Sequence, residues 1–221
     1  MSAHFFLIMF KILKNNLLFK DGKYIAFVLV TLIIFSILFF KFLLFLLVPI
    51  FLFSIYFFRN PERECIEQKF DLSILISPAD GKVVDVAKGN FENFSQKVSI
   101  FLSPIDVHVN WTPDFGQIKE INYRPGKFAV AFAPKSSDIN ERNDIIIENK
   151  NGTILVRQIA GFVARRICCW VKKGESIKAG QKFGMIRFGS RVDVLLSSNV
   201  EISVFVGQKV TGGKTVLGRW I

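Results

Sequence analysis

Histidine is nearly absent from this chain: there are two, beside three cysteines. Cys65, Cys168 and Cys169 show no C-x-x-C spacing, and the last two are neighbours that cannot readily bridge each other. That set excludes a zinc constellation, no metal is expected, and the thiols read as small apolar core residues in a reducing compartment. Nucleic-acid-binding motifs are missing as well. The formal net charge is +11, but the basic residues are scattered, so no nucleic-acid partner is expected. Helical periodicity is hard to find beyond residue 60. Charge is missing from one long stretch: in "YIAFVLVTLIIFSILFFKFLLFLLVPIFLFSIYFF", from Tyr24 to Phe58, Lys41 is the only charged residue.

That stretch exceeds the roughly 20 residues a helix needs to cross a bilayer. It is too long for the apolar core of a secretory signal, and no small-residue cleavage site follows it. Two arrangements fit: a pair of short helices in a hairpin with Lys41 near the tip, or one long tilted span. Lys11, Lys14, Lys20 and Lys23 precede the stretch, and Arg59 and Arg63 follow it. Basic residues at both ends favour the hairpin, with both ends cytoplasmic. The segment "HFFLIMFKILKNNLLFK" mixes large apolar residues with lysines as an interfacial helix does. Residues 1–58 are therefore expected to form a membrane anchor, and 59–221 a water-soluble domain on the cytoplasmic face of the cell membrane. Its basic excess would hold it against anionic headgroups.

Beyond the anchor, short β-branched and aromatic runs alternate with Gly, Pro, Asn and Asp: "KVVDVA", "KVSIFL", "VHVNW", "GQIKEINY", "DIIIEN", "TILVRQIA", "ICCWV" and "EISVFV". This spacing indicates an all-β barrel or sandwich. A weak repeat supports it, since Gly174, Ile177 and Gly180 fall 33 residues before Gly207, Val210 and Gly213. Glycines so placed suit tight turns with positive φ, a pattern of the barrel-sandwich folds of lipoyl and biotinyl carriers. The expected fold is mostly β and barrel-sandwich-like, with an N-terminal helical anchor.

Few groups could carry chemistry. His4 lies in the membrane-facing N-terminus, which leaves His108 to serve the soluble domain. Strand alternation in "FLSPIDVHVNWTP" puts Asp106, His108 and Asn110 on one face. Asp80 sits in the turn "SPADGKVV", where most aspartates bond their own backbone. "MIRFGSRVDV" reads as a strand of alternating apolar and charged residues broken by Gly189-Ser190. A glycine before serine lets the hydroxyl reach the preceding carbonyl unhindered, and a strained peptide there could undergo an N-to-O acyl shift. Arg165, Arg166, Arg187, Arg191 and Arg142 (in the "NERN" loop) are cations that could meet an anionic ligand.

Several of these segments, in order, resemble the phosphatidylserine decarboxylase proenzymes of the short bacterial and archaeal type. They are "YFFRNPER", "ISPADGKVV", "SIFLSPIDVHVNWTP", "YRPGKF", "NERN", "QIAGFVARRICCW" and "GQKFGMIRFGSRVDVLL". Together they cover essentially all of residues 59–221. The resemblance implies self-cleavage at Gly189-Ser190, giving a β chain of 1–189 and an α chain of 190–221 that stay folded together. Ser190 would become a covalent pyruvoyl group, the only cofactor implied. Through a Schiff base on that group, phosphatidylserine in the membrane would be decarboxylated to phosphatidylethanolamine. His108 would supply the proton, Asp80 would assist maturation, and Arg165 or Arg187 would reach the substrate phosphate; assembly into a homo-oligomer is left open. Longer members carry a second histidine where Trp111 stands here. Either His108 performs both tasks, or Ser190 is activated by strain and backbone contacts. The competing readings are a barrel-sandwich binding module, which lacks the expected "MKM" lysine here, and a serine hydrolase without self-cleavage.

Overall fold

The computed structural model describes residues 20–126, 140–161, 167–186 and 190–221. The chain divides into two compact units, Met1–Glu62 and Arg63–Ile221.

In the first unit, helix α1 (Lys20–Phe39) is about 30 Å long at roughly 1.5 Å per residue, enough to cross a hydrocarbon core. Its Gly22–Phe39 window has a mean hydropathy of 2.3. The helix stops at Phe40, whose φ of −144° leaves the helical region, and a short 3₁₀ turn (Lys41–Leu43) follows. Helix α2 (Leu44–Phe57) carries Pro49 in its interior. Proline lacks the N–H for the helical ladder and is tolerated in apolar helices that stand in lipid. The two helices fold back on each other: a Cβ built on Gly22, at the start of α1, would lie 2.4 Å from Cβ of Phe58, just past the end of α2. Lys41 therefore sits at the tip. Phe27, Phe35, Leu38, Phe45 and Leu46 are exposed, an apolar surface far beyond that of a soluble monomer.

The second unit is mostly β. Its largest sheet has eight antiparallel strands, curled into a half-barrel. The central five are β2 (Gly81–Phe91), β3 (Phe94–Leu102), β11 (Ser190–Leu196), β7 (Gly152–Ala160) and β6 (Arg142–Asn149), in that spatial order. Beyond β6 lie β5 (Gly116–Arg124) and the edge strand β9 (Ser176–Ile177); beyond β2 lies the other edge, β13 (Lys209–Val210). Two small sheets complete the unit. One is β1 (Ile74–Ile76), β14 (Val216–Trp220) and β12 (Val200–Ile202); the other is β4 (Val109–Trp111), β10 (Lys182–Ile186) and β8 (Ile167–Cys169). The core unites the inner face of the large sheet (Val83, Ile100, Val156, Val192, Val194) with the small sheets (Leu75, Phe183, Ile186, Leu217). Each such side chain, fully buried, contributes about 1.5–3 kcal/mol.

An approximate internal two-fold relates the two halves. Strand β1, its turn and β2 repeat as β4, its turn and β5: Pro78 corresponds to Pro113, Gly81 to Gly116 and Val83 to Ile118, and a β-bulge follows in each copy. The copies bond reciprocally, Ile76 N–H to the Pro113 carbonyl and Trp111 N–H to the Pro78 carbonyl, both at 2.9 Å. The 33-residue repeat belongs to the same symmetry, because it builds the two edge strands. Gly180 and Gly213 both have φ of +73°, and Ile177 and Val210 are both buried.

Two local readings of the sequence change. "MIRFGSRVDV" is not one strand: β10 and β11 belong to different sheets, and the chain changes sheet between Ile186 and Ser190. Alternation could not reveal this, since both strands are buried on both sides. Arg142 is not in a loop but opens β6, 7% exposed.

Candidate functional site

Ser190 is the first residue of β11, the strand flanked by long ladders on both sides. It pairs with Leu102 on β3 and Ala160 on β7, and it is fully buried. Its Oγ has no hydrogen-bond partner among the described residues. An unsatisfied buried hydroxyl costs about 1–3 kcal/mol, so such groups are rare and call for a reason.

His108 lies just before β4 rather than within a strand. Asp106 closes the preceding turn, its Oδ2 accepting from the Ser103 N–H (2.8 Å) and hydroxyl (2.7 Å). His108 is fully buried, and its Nδ1 is 2.9 Å from the Asp106 carbonyl oxygen. A carbonyl can only accept, so Nδ1 carries the proton, and in the neutral ring Nε2 holds the lone pair. The His108 carbonyl in turn accepts from the Ile186 N–H at 3.1 Å. Segment 102–108 is thus bonded to the chain on both sides of 187–189, at Ile186 through His108 and at Ser190 through Leu102.

Asp80 does more than close its own turn. Arg63 forms a two-pronged ion pair with its carboxylate, Nη2 to Oδ2 at 3.0 Å and Nη1 to Oδ1, while the Gly212 N–H donates to Oδ1 at 2.9 Å. The Val107 N–H, one residue before His108, donates weakly to Oδ2 at 3.4 Å. Arg63 Nη1 also donates to the Gly212 carbonyl (2.9 Å), and the guanidinium lies 4.7 Å from the centre of the Trp111 ring. Trp111 is fully buried, and a Cβ on Gly212 would come within 2.6 Å of it. The residue standing where a second histidine was sought is therefore the platform for the cation that holds Asp80. Arg63 was missed as a site residue, because it lies 17 residues before Asp80 and nothing in the spacing signals the pair.

Two further polar groups sit nearby. On the inner face, Asn143 Nδ2 donates to Gln158 Oε1 (2.9 Å) and Gln158 Nε2 donates to Asn110 Oδ1 (2.8 Å), all three side chains being buried. On the outer face, Arg157 pairs with Asp144 (2.7 and 2.8 Å) and Glu92 (2.8 Å), and Arg191 with Asp193 (2.9 Å). Desolvation by burial works against the Arg157 charge, but the two carboxylates outweigh it and raise its pKa. No group of three or more His, Cys, Asp or Glu suited to a metal occurs among the described residues. Gly189, Arg187, Arg165 and Arg166 lie outside the described residues.

Fold and site together define a β-rich domain, preceded by apolar helices, built around a buried serine hydroxyl that has no partner among the described residues. A histidine and a charge-paired aspartate stand on adjoining segments. The family model "Phosphatidylserine decarboxylase" matches residues 50–218. The chain is 49% identical over 166 residues to the phosphatidylserine decarboxylase proenzyme of Carboxydothermus hydrogenoformans, covering 73% of this chain and 76% of that one. With the proenzyme of Syntrophus aciditrophicus the identity is 44% over 167 residues, covering 73% and 77%. The chain belongs to the phosphatidylserine decarboxylase family.

Proposed function

We propose that this chain is a proenzyme that cuts itself between Gly189 and Ser190, and that the processed form decarboxylates phosphatidylserine to phosphatidylethanolamine. The observation that carries this reading is the Ser190 hydroxyl, buried at the head of the central strand with no partner among the described residues. Its Oγ attacks the residue-189 carbonyl carbon; the C–O bond forms, the C–N bond breaks, and the nitrogen of residue 190 takes up a proton. Elimination from the resulting ester and hydrolysis, with loss of ammonia, leave chains 1–189 and 190–221, the second beginning with a pyruvoyl group.

Position 190 suits that group. The side chain has no hydrogen-bond partner among the described residues and lies between Leu102 and Ala160, so a ketone there strands no donor among them. A pyruvoyl group supplies an electrophilic carbonyl that binds a primary amine and accepts the electron pair released with carbon dioxide. His108, its Nδ1–H fixed on the Asp106 carbonyl, takes up a proton at its Nε2 lone pair and passes it to the carbon that loses the carboxylate. Asp80, gripped by Arg63, fixes the Val107 main chain and with it His108. The internal two-fold supports the barrel-sandwich reading of the fold. The helical hairpin and its basic flanks support a cell-membrane location with the β unit on the cytoplasmic side, where Arg165 or Arg187 would meet the substrate phosphate. Whether two copies assemble is a matter for light scattering in detergent.

Intact-mass measurement of the wild type beside Ser190→Ala tests the cut: two chains are expected from the first and one from the second. Release of carbon dioxide from phosphatidylserine liposomes then tests the substrate. An intact chain that is fully active, or a Ser190 labelled by fluorophosphonates, overturns the reading in favour of a serine hydrolase.

A further inference from the structure

Asn110 ends the buried amide chain, and the chain has a direction. Asn143 gives its NH₂ to the oxygen of Gln158, and Gln158 gives its NH₂ to the oxygen of Asn110. With Gln158 so placed, turning the Asn110 amide over would set two donors face to face, so its oxygen points at Gln158. The Asn110 NH₂ is left over, and it has no partner among the described residues, although Asn110 is fully buried. Buried amide donors are rarely abandoned in this way.

The register places this donor near the other orphan, the Ser190 hydroxyl. Gln158 is the cross-strand partner of Val192, and Ala160, two residues along the same face of β7, is the partner of Ser190. Asn110 stands opposite Gly184 on β10, where a Cβ would come within 2.9 Å of Gln158 Nε2, so glycine is needed for the amide chain to pass. Strand β10 runs toward residue 190, and Asn110 is two residues beyond His108. Two unsatisfied groups of matching polarity, a nucleophile and an N–H donor, thus face the same inner end of the sheet in a water-poor interior.

We infer that Asn110 is a catalytic residue of self-cleavage: its Nδ2–H stabilises the oxygen of the carbonyl that Ser190 attacks. The inference rests on the self-cleaving reading and deepens it. As Oγ adds to the carbonyl carbon, the π electron pair moves onto the oxygen, and a fixed donor lowers the energy of that oxyanion. When the C–N bond breaks, the pair returns to re-form the carbonyl of the ester. Removing one such donor slows acyl transfer about 10²- to 10³-fold. Gln158 and Asn143 are positioning residues that hold the amide the right way round.

The test uses the full-length chain in detergent and follows cleavage by intact mass from the time of synthesis. Asn110→Asp keeps the acceptor for Gln158 and puts a carboxylate oxygen where the donor was; Asn110→Ala removes both. Each is expected to slow the appearance of 190–221 by about 10²- to 10³-fold, with Asn110→Ala losing less melting temperature than Asn110→Asp because it buries no charge. Hydroxylamine, which opens esters, should release no additional fragment from either variant, because the ester is not formed. Cleavage of Asn110→Asp within a few-fold of the wild-type rate overturns the inference, even if Asn110→Ala fails to fold. Prompt hydroxylamine scission of either variant overturns it too, by showing that the ester forms without the donor. An uncut wild type sinks the underlying reading and this inference with it, whereas freely cut variants sink the inference alone.

Discussion

Arg63→Met, made in the uncut Ser190→Ala chain, is the sharpest test of how the Asp80 turn is held. The substitution keeps most of the side-chain length and removes the charge. Asp80 is then left with two backbone donors, Gly212 N–H at 2.9 Å and Val107 N–H at 3.4 Å, in place of a two-pronged guanidinium. Both partners are largely buried, with side-chain exposures of 11% and 14%. Removing one member of a buried ion pair typically costs about 3–5 kcal/mol, mostly because the other charge is stranded. The bond from Arg63 to the Gly212 carbonyl and the contact with the Trp111 ring disappear as well. A domain of this size loses roughly 2–4 °C of melting temperature per kcal/mol, so a drop on the order of 6–20 °C is expected. Asp80→Asn keeps an acceptor for Gly212, and the double variant strands no charge. Its loss should therefore fall short of the sum of the single losses by about 2–3 kcal/mol. Urea unfolding in detergent reads this through tryptophan fluorescence, because all three tryptophans lie in the β unit and Trp111 touches Arg63. A coupling below about 0.5 kcal/mol would mean that the pair contributes nothing and that Asp80 is held by the backbone alone.

The remaining predictions concern the rest of the β unit. Arg157→Met leaves the buried Asp144 with only its longer 3.5 Å contact to Arg142 and should cost up to about 3–5 kcal/mol, largely recovered when Asp144 is replaced by Asn as well; an unchanged urea midpoint would refute it. Gly81→Ala forces a Cβ to 2.1 Å from the Phe101 carbonyl at a φ of +146°, whereas Gly207→Ala at +96° meets open space. The first should abolish stable folding and the second cost only about 1–2 kcal/mol; equal losses would contradict the backbone geometry. Burial raises the Asp114 carboxyl pKa above its ordinary 3.8, despite bonds from Trp220, Asn149 and the Phe115 N–H. A raised folded pKa means that the group's contribution is full below the unfolded value and fades as pH climbs through the folded one. Wild type should therefore lose stability relative to Asp114→Asn as pH rises from about 4 toward neutrality; urea midpoints that run parallel across that range would refute the assignment.

Strands were legible where β-branched runs meet Gly and Pro punctuation, as in "KVSIFL" and "DIIIEN", because β propensity is local. The glycine repeat was legible for the same reason: a left-handed φ at Gly180 or Gly213 is a demand made by a single residue. Partnership was not legible. Nothing near Asp80 in the sequence says that Arg63, 17 residues earlier, closes on it, or that Gly212 completes the grip. The sheet change between Ile186 and Ser190 was hidden because both strands are buried on both faces, which erases the alternation that marks a solvent side. Arg142 looked like a loop residue because charge usually means solvent, and its burial depends on Asp144 in the same ladder. The candidates Gly189-Ser190, His108 and Asp80 were named through family resemblance, while Gln158 and Asn143 were silent: an amide reveals its role only through what it bonds.

The course of residues 190–221 through the sheets has a consequence for what a cut at residue 189 would produce. The piece is short, yet it supplies the middle strand of the large sheet, one of its edges, and two of the three strands of a second sheet. Such a fragment is interwoven with the remainder rather than laid against it. Its departure would require unzipping ladders with β3 and β7 together, so dissociation of the two products and global unfolding become the same event. Before the cut, the chain can refold from the denatured state as one polymer; afterwards refolding becomes a bimolecular search. Maturation would therefore act as a one-way step in the folding history of the molecule, leaving it durable in use but poorly recoverable once lost.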